Sequence, residues 1–258
     1  ALEGQAPDVL IIGGGVIGCA ILRELSRYQL DVLLLEKEHD VAMHASGRND
    51  GMVHPGIDLH KGQLKKKYND LGNRMYETIC ADLGVPFKRR GQYLCFTKAY
   101  MKPVALASRV YWRMMKIPSK YISRRELKKR EPLLSGAIRC ALFFPTAGTV
   151  CPYGLTIAYA ENAADNGAKL SLDTAVLDME VRDGVIDSVL TNRGRVYPRL
   201  VVNAAGVFSE EIAKMAGDRF FSIHPRRGTN MILDKKAAFQ VNTIASSARR
   251  SRNGVTGR

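Results

Sequence analysis

Apolar and polar positions fall into blocks whose period changes along the chain. Asp8-Val-Leu-Ile-Ile12 is a short apolar run that leads into Gly13-Gly-Gly15, and Val16 to Leu25 then shows an apolar face. This order predicts a strand, a tight glycine turn and a helix. Asp31-Val-Leu-Leu-Leu-Glu36 predicts a second buried strand, whereas Lys37 to Ile57, rich in Gly, Ser, Asn and His, is too polar for a core element and reads as a ligand loop. Leu64, Tyr68, Leu71, Met75, Tyr76, Ile79 and Leu83 recur near helical spacing, which predicts a helix with that stripe inward, stopped by Gly84-Val-Pro86. A strand is expected over Gln92 to Thr97, then a helix over Tyr100 to Lys116 that buries Trp112 and the pair Met114-Met115. Ser123-Arg-Arg-Glu126 resembles a capping box opening a short helix ended by Pro132, and Ala141 to Phe144 is the next strand.

Pro152 to Asn166 predicts a helix with Leu155, Ala158, Tyr159, Ala163 and Ala164 on one face and Asn166-Gly167 as its C-cap. A β series follows: Lys169 to Leu172, then Val176 to Val181, Val185 to Thr191 and Arg195 to Tyr197, the last three joined by turns at Arg182-Asp-Gly184 and Asn192-Arg-Gly194. Leu200-Val-Val-Asn-Ala-Ala-Gly206 returns as a buried strand whose small residues let a ligand approach the backbone at its carboxyl end. The runs beginning at Ile11, Asp31, Lys169 and Leu200 are expected to be neighbours in one parallel sheet, with Val176 to Tyr197 as an antiparallel meander beside it.

The chain has 258 residues, of which 46% are hydrophobic and 25% charged, enough to bury a sizeable core in one large or two small domains. Its formal charge of +14 and pI of about 9.7 permit an anionic substrate, an anionic membrane surface or nucleic acid as partner. The cations are spread over several clusters without aromatic interleaving, and no nucleic-acid motif is present, so a solvated basic surface is favoured. Five cysteines, scattered and without a C-x-x-C, suggest neither a disulfide framework nor a zinc site, and no metal is expected. Cys19 reads as a small core residue. No uncharged run is long enough to be a membrane span.

Candidate chemistry concentrates at the first turn. Gly13, Gly15 and Gly18 have the G-x-G-x-x-G spacing: one glycine turns the chain, one admits a pyrophosphate against the backbone, and one lets helix pack on strand. Glu36 ends the second strand about twenty residues on, where an acid meets a ribose. Together these point to an adenine dinucleotide, with the helix N-terminus facing its phosphates.

Further stretches carry a resemblance: ASGRNDGMVHPG (45–56), GQLKKKYNDLGNRM (62–75), GVPFKRRG (84–91), GTVCPYGLTIAYAENAADNGA (148–168), VVNAAGVFSEEIAKMAG (201–217) and IHPRRG (223–228). With GGGVIG and Glu36, the chain resembles the flavoprotein superfamily of D-amino acid oxidase, and most closely its glycerol-3-phosphate and L-2-hydroxyglutarate dehydrogenase branch. The resemblance implies an α/β fold: a Rossmann-like FAD-binding domain, with parallel sheet and β-meander, and a partial, mainly antiparallel α+β substrate domain. It divides the chain into residues 1–80 and 146–219 for FAD, 81–145 and 220–245 for substrate, and a basic tail at 246–258.

FAD is the implied cofactor. Gly13, Gly15 and Gly18 would hold the pyrophosphate, Glu36 with Lys37 the adenosine end, and the backbone of Val176 the adenine edge. Ser46, Arg48, Asn49, Gly51 and Met52 fall where the family's loop runs along pyrophosphate and isoalloxazine, and Ala205 and Gly206 approach from the return strand. An NAD enzyme would share only the first turn. His54 either takes the hydroxyl proton while the α-hydrogen leaves as hydride, or simply hydrogen-bonds the loop or flavin. For His224 a structural role is favoured. Arg226 and Arg227 are candidates to pair with a substrate phosphate or carboxylate. The implied activity is oxidation of glycerol 3-phosphate, or a similar small anionic 2-hydroxy compound such as L-2-hydroxyglutarate, with electrons passing to a quinone, a partner subunit or oxygen. A cytoplasmic location, peripheral to the inner face of the membrane, goes with it.

Where the resemblance calls for a further sheet, a glycine-rich return to the flavin and a closing helix, the sequence stops at an arginine-rich stretch that reads as disordered or out of frame. A truncated chain that binds FAD or ADP without catalysis is therefore the alternative. The apolar faces of Tyr93 to Phe96 and Met231 to Leu233 are expected to be left uncovered, so that the chain self-associates there or carries a poorly ordered end, with little or no glycerol 3-phosphate turnover.

Overall fold

The computed structural model describes residues 2–232, 234, 236 and 241–248. In chain order its elements are β1 (Val9–Ile12), α1 (Val16–Leu25), β2 (Val32–Leu35), β3 (Met52–Val53), α2 (Leu64–Asp82), β4 (Phe87–Lys88), β5 (Gln92–Phe96), α3 (Met101–Met114), β6 (Lys120–Ser123), α4 (Arg124–Arg130), β7 (Cys140–Phe144), β8 (Gly148–Val150), α5 (Pro152–Asp165), β9 (Lys169–Ser171), β10 (Val176–Arg182), β11 (Val185–Thr191), β12 (Gly194–Val196), β13 (Leu200–Asn203), α6 (Ser209–Met215) and β14 (Ile244–Ser247). They group into two compact units. One takes the described residues up to Asp50, Leu83–Val85 and Cys151–Asn230; the other takes Gly51–Asp82, Pro86–Val150 and the described residues from Met231 onward.

The first unit is built on a sheet of order β13-β1-β2-β9, parallel throughout. A parallel sheet covered on both faces needs apolar side chains on both, which is why β1 and β2 read as unbroken apolar runs and are buried at every position. One face packs against α1 and α5 through Ile11, Leu34, Cys19, Leu22, Ala160 and Ala163. The other packs Leu10, Ile12, Leu33 and Leu35 against Met179, Val189 and Val196 of the β10-β11-β12 meander and Ile212 of α6. The expected parallel sheet and meander are both present. The β10-β11 hairpin turns at Asp183 and Gly184, both at positive φ (51° and 78°), as a turn matched to strand twist requires. Helix α5 ends as expected at Asn166-Gly167: the Gly167 N–H donates to the Ala164 carbonyl and the Ala168 N–H to that of Ala163, with Gly167 at φ 89°. Its inward face differs from the expected stripe. Leu155, Thr156, Ala160 and Ala163 are buried, whereas Ala164 is exposed, because the close approach to α1 selects the Ala160/Ala163 side.

The second unit holds an antiparallel β5-β7-β6 core, extended at β5 by a parallel β14, and a separate β3-β8-β4 sheet. Three expectations are corrected here. The edge of β5 is not left open: β14 pairs along it, and Tyr93, Cys95 and Phe96 are at most 6% exposed. Of the second stretch expected to lie bare, Met231 is 88% and Ile232 98% exposed, while Leu233 lies outside the described residues, as do residues 249–258 of the basic tail. The apolar stripe of α2 is also not the buried one. Leu64, Tyr68, Leu71 and Met75 are exposed, and Lys66, Asn73 and Cys80 face inward, Asn73 held by the polar bonds described below. In α3, Met115 is buried at the C-cap and Trp112 is half-buried, but Met114 is 68% exposed, since adjacent helical residues lie about 100° apart and only one joins the inward stripe. Ser123 caps α4 as expected, accepting the Glu126 N–H at its Oγ, while the Glu126 carboxylate pairs with Arg130 rather than returning to Ser123.

Cys19, Cys80, Cys95 and Cys140 are buried and Cys151 is half-buried. Burial beside the Glu36 carboxylate pushes the Cys19 thiol up to about 12, and burial near Cys140 pushes Cys95 up to about 11. Because the thiolate is the nucleophile, brief alkylation near pH 8 is expected to label Cys151 first and to leave the other four unmodified until the chain is denatured. Mass spectrometry of the alkylated chain checks this; labelling of Cys19 at the rate of Cys151 contradicts the packing.

Candidate functional site

A cleft of about 540 Å³ opens in the first unit, lined by Ile12, Leu35 and Asn203 at the carboxyl ends of β1, β2 and β13. This is where a parallel sheet presents its strand ends to a dinucleotide. The glycines of the first turn differ in what a side chain would meet. Gly13 sits at φ 112°, and a Cβ there would lie 2.6 Å from the Ala204 carbonyl oxygen. At Gly18 it would lie 1.9 Å from the Gly13 oxygen, so this glycine serves close packing. At Gly15 it would meet only Ser46 Oγ, at 3.1 Å, and both residues line the cleft. Gly15 is also the N-cap of α1 and offers no side-chain acceptor, so the first turn of the helix keeps donors for a ligand phosphate.

Glu36 is 8% exposed and lines the cleft. Its Oε2 accepts the Gly14 N–H at 2.6 Å and its Oε1 the Glu38 N–H at 2.9 Å. The carboxylate is thereby fixed with lone pairs left over for hydroxyl donors, and a 2′-phosphate would meet its charge. The middle residue of the turn is glycine for the same reason: a Cβ on Gly14 would lie 2.9 Å from Glu36 Oε2. The loop after β2 folds over the turn, with the Ala42 N–H donating to the Gly14 carbonyl and Val16 N–H to Ser46 Oγ, each at 2.9 Å. Thr174, buried at 1%, donates its N–H to the Glu36 carbonyl and carries the chain into Val176 on the same wall. Ala205 and Gly206 close the opposite side; Gly206, at φ 59°, opens a 3-10 turn through Phe208, and a Cβ there would meet nothing within 4 Å.

Lys37 lies over the Phe208 ring at 3.5 Å from its centre, and His44 meets the ring edge-on at 5.5 Å. His44 Nε2 is 2.8 Å from Glu38 Oε1; that hydrogen bond, helped by the charges of His44, Lys37 and His39, holds the Glu38 carboxyl below its usual value. Gly14, Thr174, His44 and Phe208 are wall residues that the motif reading missed. Phe208 lies two residues after the last glycine of VVNAAGVF, and His44 two before Ser46, so distance along the chain was the available signal.

The structure gathers Gly13, Gly15, Glu36, Lys37, Ser46, Val176, Ala205 and Gly206 at this cleft. Gly18 is buried behind it. Arg48 is exposed, and Asn49 Nδ2 donates to the carbonyls of Ala45 and Ser46 at 3.0 and 2.8 Å; neither lines the cleft. Arg226 and Arg227 are exposed in a stretch without helix or strand.

Gly51, Met52 and His54 belong to the second unit. Met52 pairs with Thr149 in the β3-β8 ladder, and the Gly51 carbonyl accepts the Val150 N–H at 2.9 Å. The His54 side chain is exposed, but its backbone is anchored: Asn73 Nδ2 donates to the His54 carbonyl at 2.8 Å and to that of Thr146 at 3.0 Å. Arg89 completes the clamp, with Nη1 donating to Asn73 Oδ1 and the Thr146 carbonyl, Nη2 to the Asn73 carbonyl and Nε to Glu77 Oε1. This network is what turns the polar side of α2 inward. Among the described residues no group of three or more His, Cys, Asp or Glu is arranged to hold a metal, and no helix is long and apolar enough to cross a membrane.

Residues 8–255 match the DAO family, FAD dependent oxidoreductase. Over 232 residues, 88% of this chain and 48% of the relative, the sequence is 40% identical to a glycerol 3-phosphate dehydrogenase of Caloramator mitchellensis. It is 28% identical to an L-2-hydroxyglutarate dehydrogenase of Indibacter alkaliphilus, across 92% of this chain and 60% of that one. Among solved structures, a dithionite-reduced L-α-glycerophosphate oxidase of Mycoplasma pneumoniae with FAD bound superposes with a TM-score of 0.77 at 29% identity, covering 84% of this chain and 59% of that one. The chain spans about half the length of the curated relatives it matches. The cleft meets the demands of a dinucleotide on its own geometry, with bare glycine backbone beside the helix N-terminus and a fixed carboxylate at the second strand, and together with the match over nearly all of the sequence this makes the chain a member of the DAO family of FAD dependent oxidoreductases, with FAD as its cofactor.

Proposed function

We propose that this protein serves the oxidation of glycerol 3-phosphate, with other small anionic 2-hydroxy compounds such as L-2-hydroxyglutarate as the next candidates. The observation that carries the substrate choice is the 40% identity to a glycerol 3-phosphate dehydrogenase across 88% of the chain. FAD, when bound, supplies the two-electron acceptor for the hydride on the carbinol carbon. In this reading the first unit holds the cofactor: the Gly13–Gly18 turn and Ser46 take the pyrophosphate, Glu36 and Lys37 the adenosine, Val176 the adenine edge, and Ala205 and Gly206 the other side of the phosphates. Arg48, Asn49, Gly51 and Met52 belong to the loop that runs toward the ring. For the substrate, His54 of the second unit takes the hydroxyl proton, and Arg226 and Arg227, which belong to the first unit, pair with phosphate or carboxylate, for which the guanidinium fork is suited. Electrons leave to oxygen, a partner subunit or a quinone, and the place of action is the cytoplasm or the inner membrane face.

A second reading rests on the chain's span of about half its curated relatives: these residues bind FAD or ADP without turnover. Anaerobic mixing of the FAD-loaded chain with glycerol 3-phosphate, L-2-hydroxyglutarate and glycine separates the two. The proposal expects bleaching of the flavin by glycerol 3-phosphate ahead of the others, slower in this chain alone than an ordinary enzymatic rate of roughly 1 per second. A loaded flavin that no substrate bleaches establishes the second reading, and preferential bleaching by glycine overturns the substrate assignment.

A further inference from the structure

From residue 83 to residue 125 the sequence contains eleven Lys and Arg and no Asp or Glu. Helix α3 lies in the middle of this stretch and divides its surface three ways. Met101, Ala105, Ser108, Trp112 and Met115 form the inward stripe, packed with Phe96, Cys140, Leu142 and Phe144 of the sheet. Lys102, Arg109 and Arg113, spaced as one ridge along the helix, and Lys116, just past its C-cap, are exposed, and among the described residues none of them forms an ion pair with a carboxylate. The remaining, wider side carries Tyr100, Val104, Leu106, Val110, Tyr111 and Met114, each between 42% and 72% exposed. Among the described residues nothing packs on this second apolar side, which lies beside a line of cations.

We propose that α3 is a docking surface for an anionic lipid bilayer. A helix lying in the plane of the interface can sink one apolar side among the acyl chains while a flanking row of Lys and Arg reaches the headgroups, and Tyr suits the boundary between them. The charge complementarity selects this occupant. A second copy of the chain, its α3 paired antiparallel about a two-fold axis, would bring cationic ridge beside cationic ridge. Nucleic acid would use the ridge and leave the six apolar side chains in water. The inference stands on α3 alone and does not depend on the substrate.

Flotation of the 258-residue chain with vesicles of phosphatidylcholine, with and without phosphatidylglycerol, tests it. Binding is expected with phosphatidylglycerol, at least about tenfold weaker without it, and weakened again in about 0.5 M salt, where the screening length is only a few ångströms. Val110→Glu with Met114→Glu, and separately Arg109→Gln with Arg113→Gln, are each expected to lower binding by about tenfold or more. Trp112 is the only tryptophan and sits on the inward stripe, so unchanged emission in both variants shows that α3 remains docked on the sheet. Absence of binding to phosphatidylglycerol vesicles, or equal binding by the folded variants, overturns the proposal. Two further outcomes also overturn it. A dimer, seen by sedimentation without lipid, that Val110→Glu with Met114→Glu dissociates assigns the face to a second copy. Retention on RNA that only the arginine variant loses assigns it to nucleic acid.

Discussion

Replacing Gly15 by valine is expected to leave the chain folded but without flavin. Gly15 has an ordinary extended backbone (φ −77°, ψ 175°), so a β-branched residue brings no conformational strain, and its Cβ meets only Ser46 Oγ, at 3.1 Å. The two methyl groups would then occupy the cleft wall from which the backbone must meet a pyrophosphate. The loss should exceed about a hundredfold in FAD affinity, roughly 3 kcal/mol, against about 1 kcal/mol or less in folding stability for a changed N-cap. Gly13→Ala provides the contrast. At φ 112°, with backbone oxygen 2.6 Å from the added Cβ, it strains the turn itself and should cost on the order of 3 kcal/mol of stability as well as the cofactor. Flavin content and urea midpoints of the two variants separate the cases; full FAD retention by Gly15→Val removes the pyrophosphate from this turn.

The second large effect is expected at Asn73. Its side chain joins the carbonyls of His54 and Thr146, and Arg89 bonds to its side chain and its own carbonyl, so one substitution leaves several partly buried polar groups without partners. Asn73→Ala should cost about 2–4 kcal/mol, because orphaned buried groups lose their full solvation. The exposed neighbour Arg74→Ala should stay within about 0.5 kcal/mol. Arg89→Lys, which keeps the charge but not the fork, should fall between them. Equal unfolding midpoints for Asn73→Ala and Arg74→Ala would mean that the clamp contributes nothing.

The parallel sheet and its cleft were legible in the sequence because their signals are local and reinforce one another. Val9–Ile12 and Val32–Leu35 are apolar at every position, the glycines sit at fixed offsets between strand and helix, and Glu36 ends the second strand. The helix over residues 64–82 was legible as a helix but not as to its buried side. Periodicity reports where apolar residues recur, and it fails where tertiary hydrogen bonds turn a polar residue inward, as Asn73 is turned here. Lys66 is 6% exposed and pairs with Asp70 one turn on; that pair is local to the helix, but the burial of Lys66 is not. The same limit hid Gly14, whose need to be glycine arises from the Glu36 carboxylate 22 residues away, and Phe208, which meets Lys37 only after the return strand is in place. The pairing of β14 along β5 joins residues about 150 positions apart and leaves no mark on either segment alone.

Titration of the 258-residue chain with FAD, followed by quenching of flavin fluorescence and checked by equilibrium dialysis, tests the central assignment most directly. The cleft formed by Gly13–Gly15, Glu36, Ser46 and Gly206 predicts one FAD per chain with a dissociation constant in the micromolar range or below, on the order of −8 kcal/mol or stronger. It also predicts that ADP competes for the same site and that an adenosine carrying a 2′-phosphate competes far less well, because a second phosphate would meet the charge of the Glu36 carboxylate in the cleft wall. A folded chain that retains no FAD, or that prefers the 2′-phosphate, would contradict it.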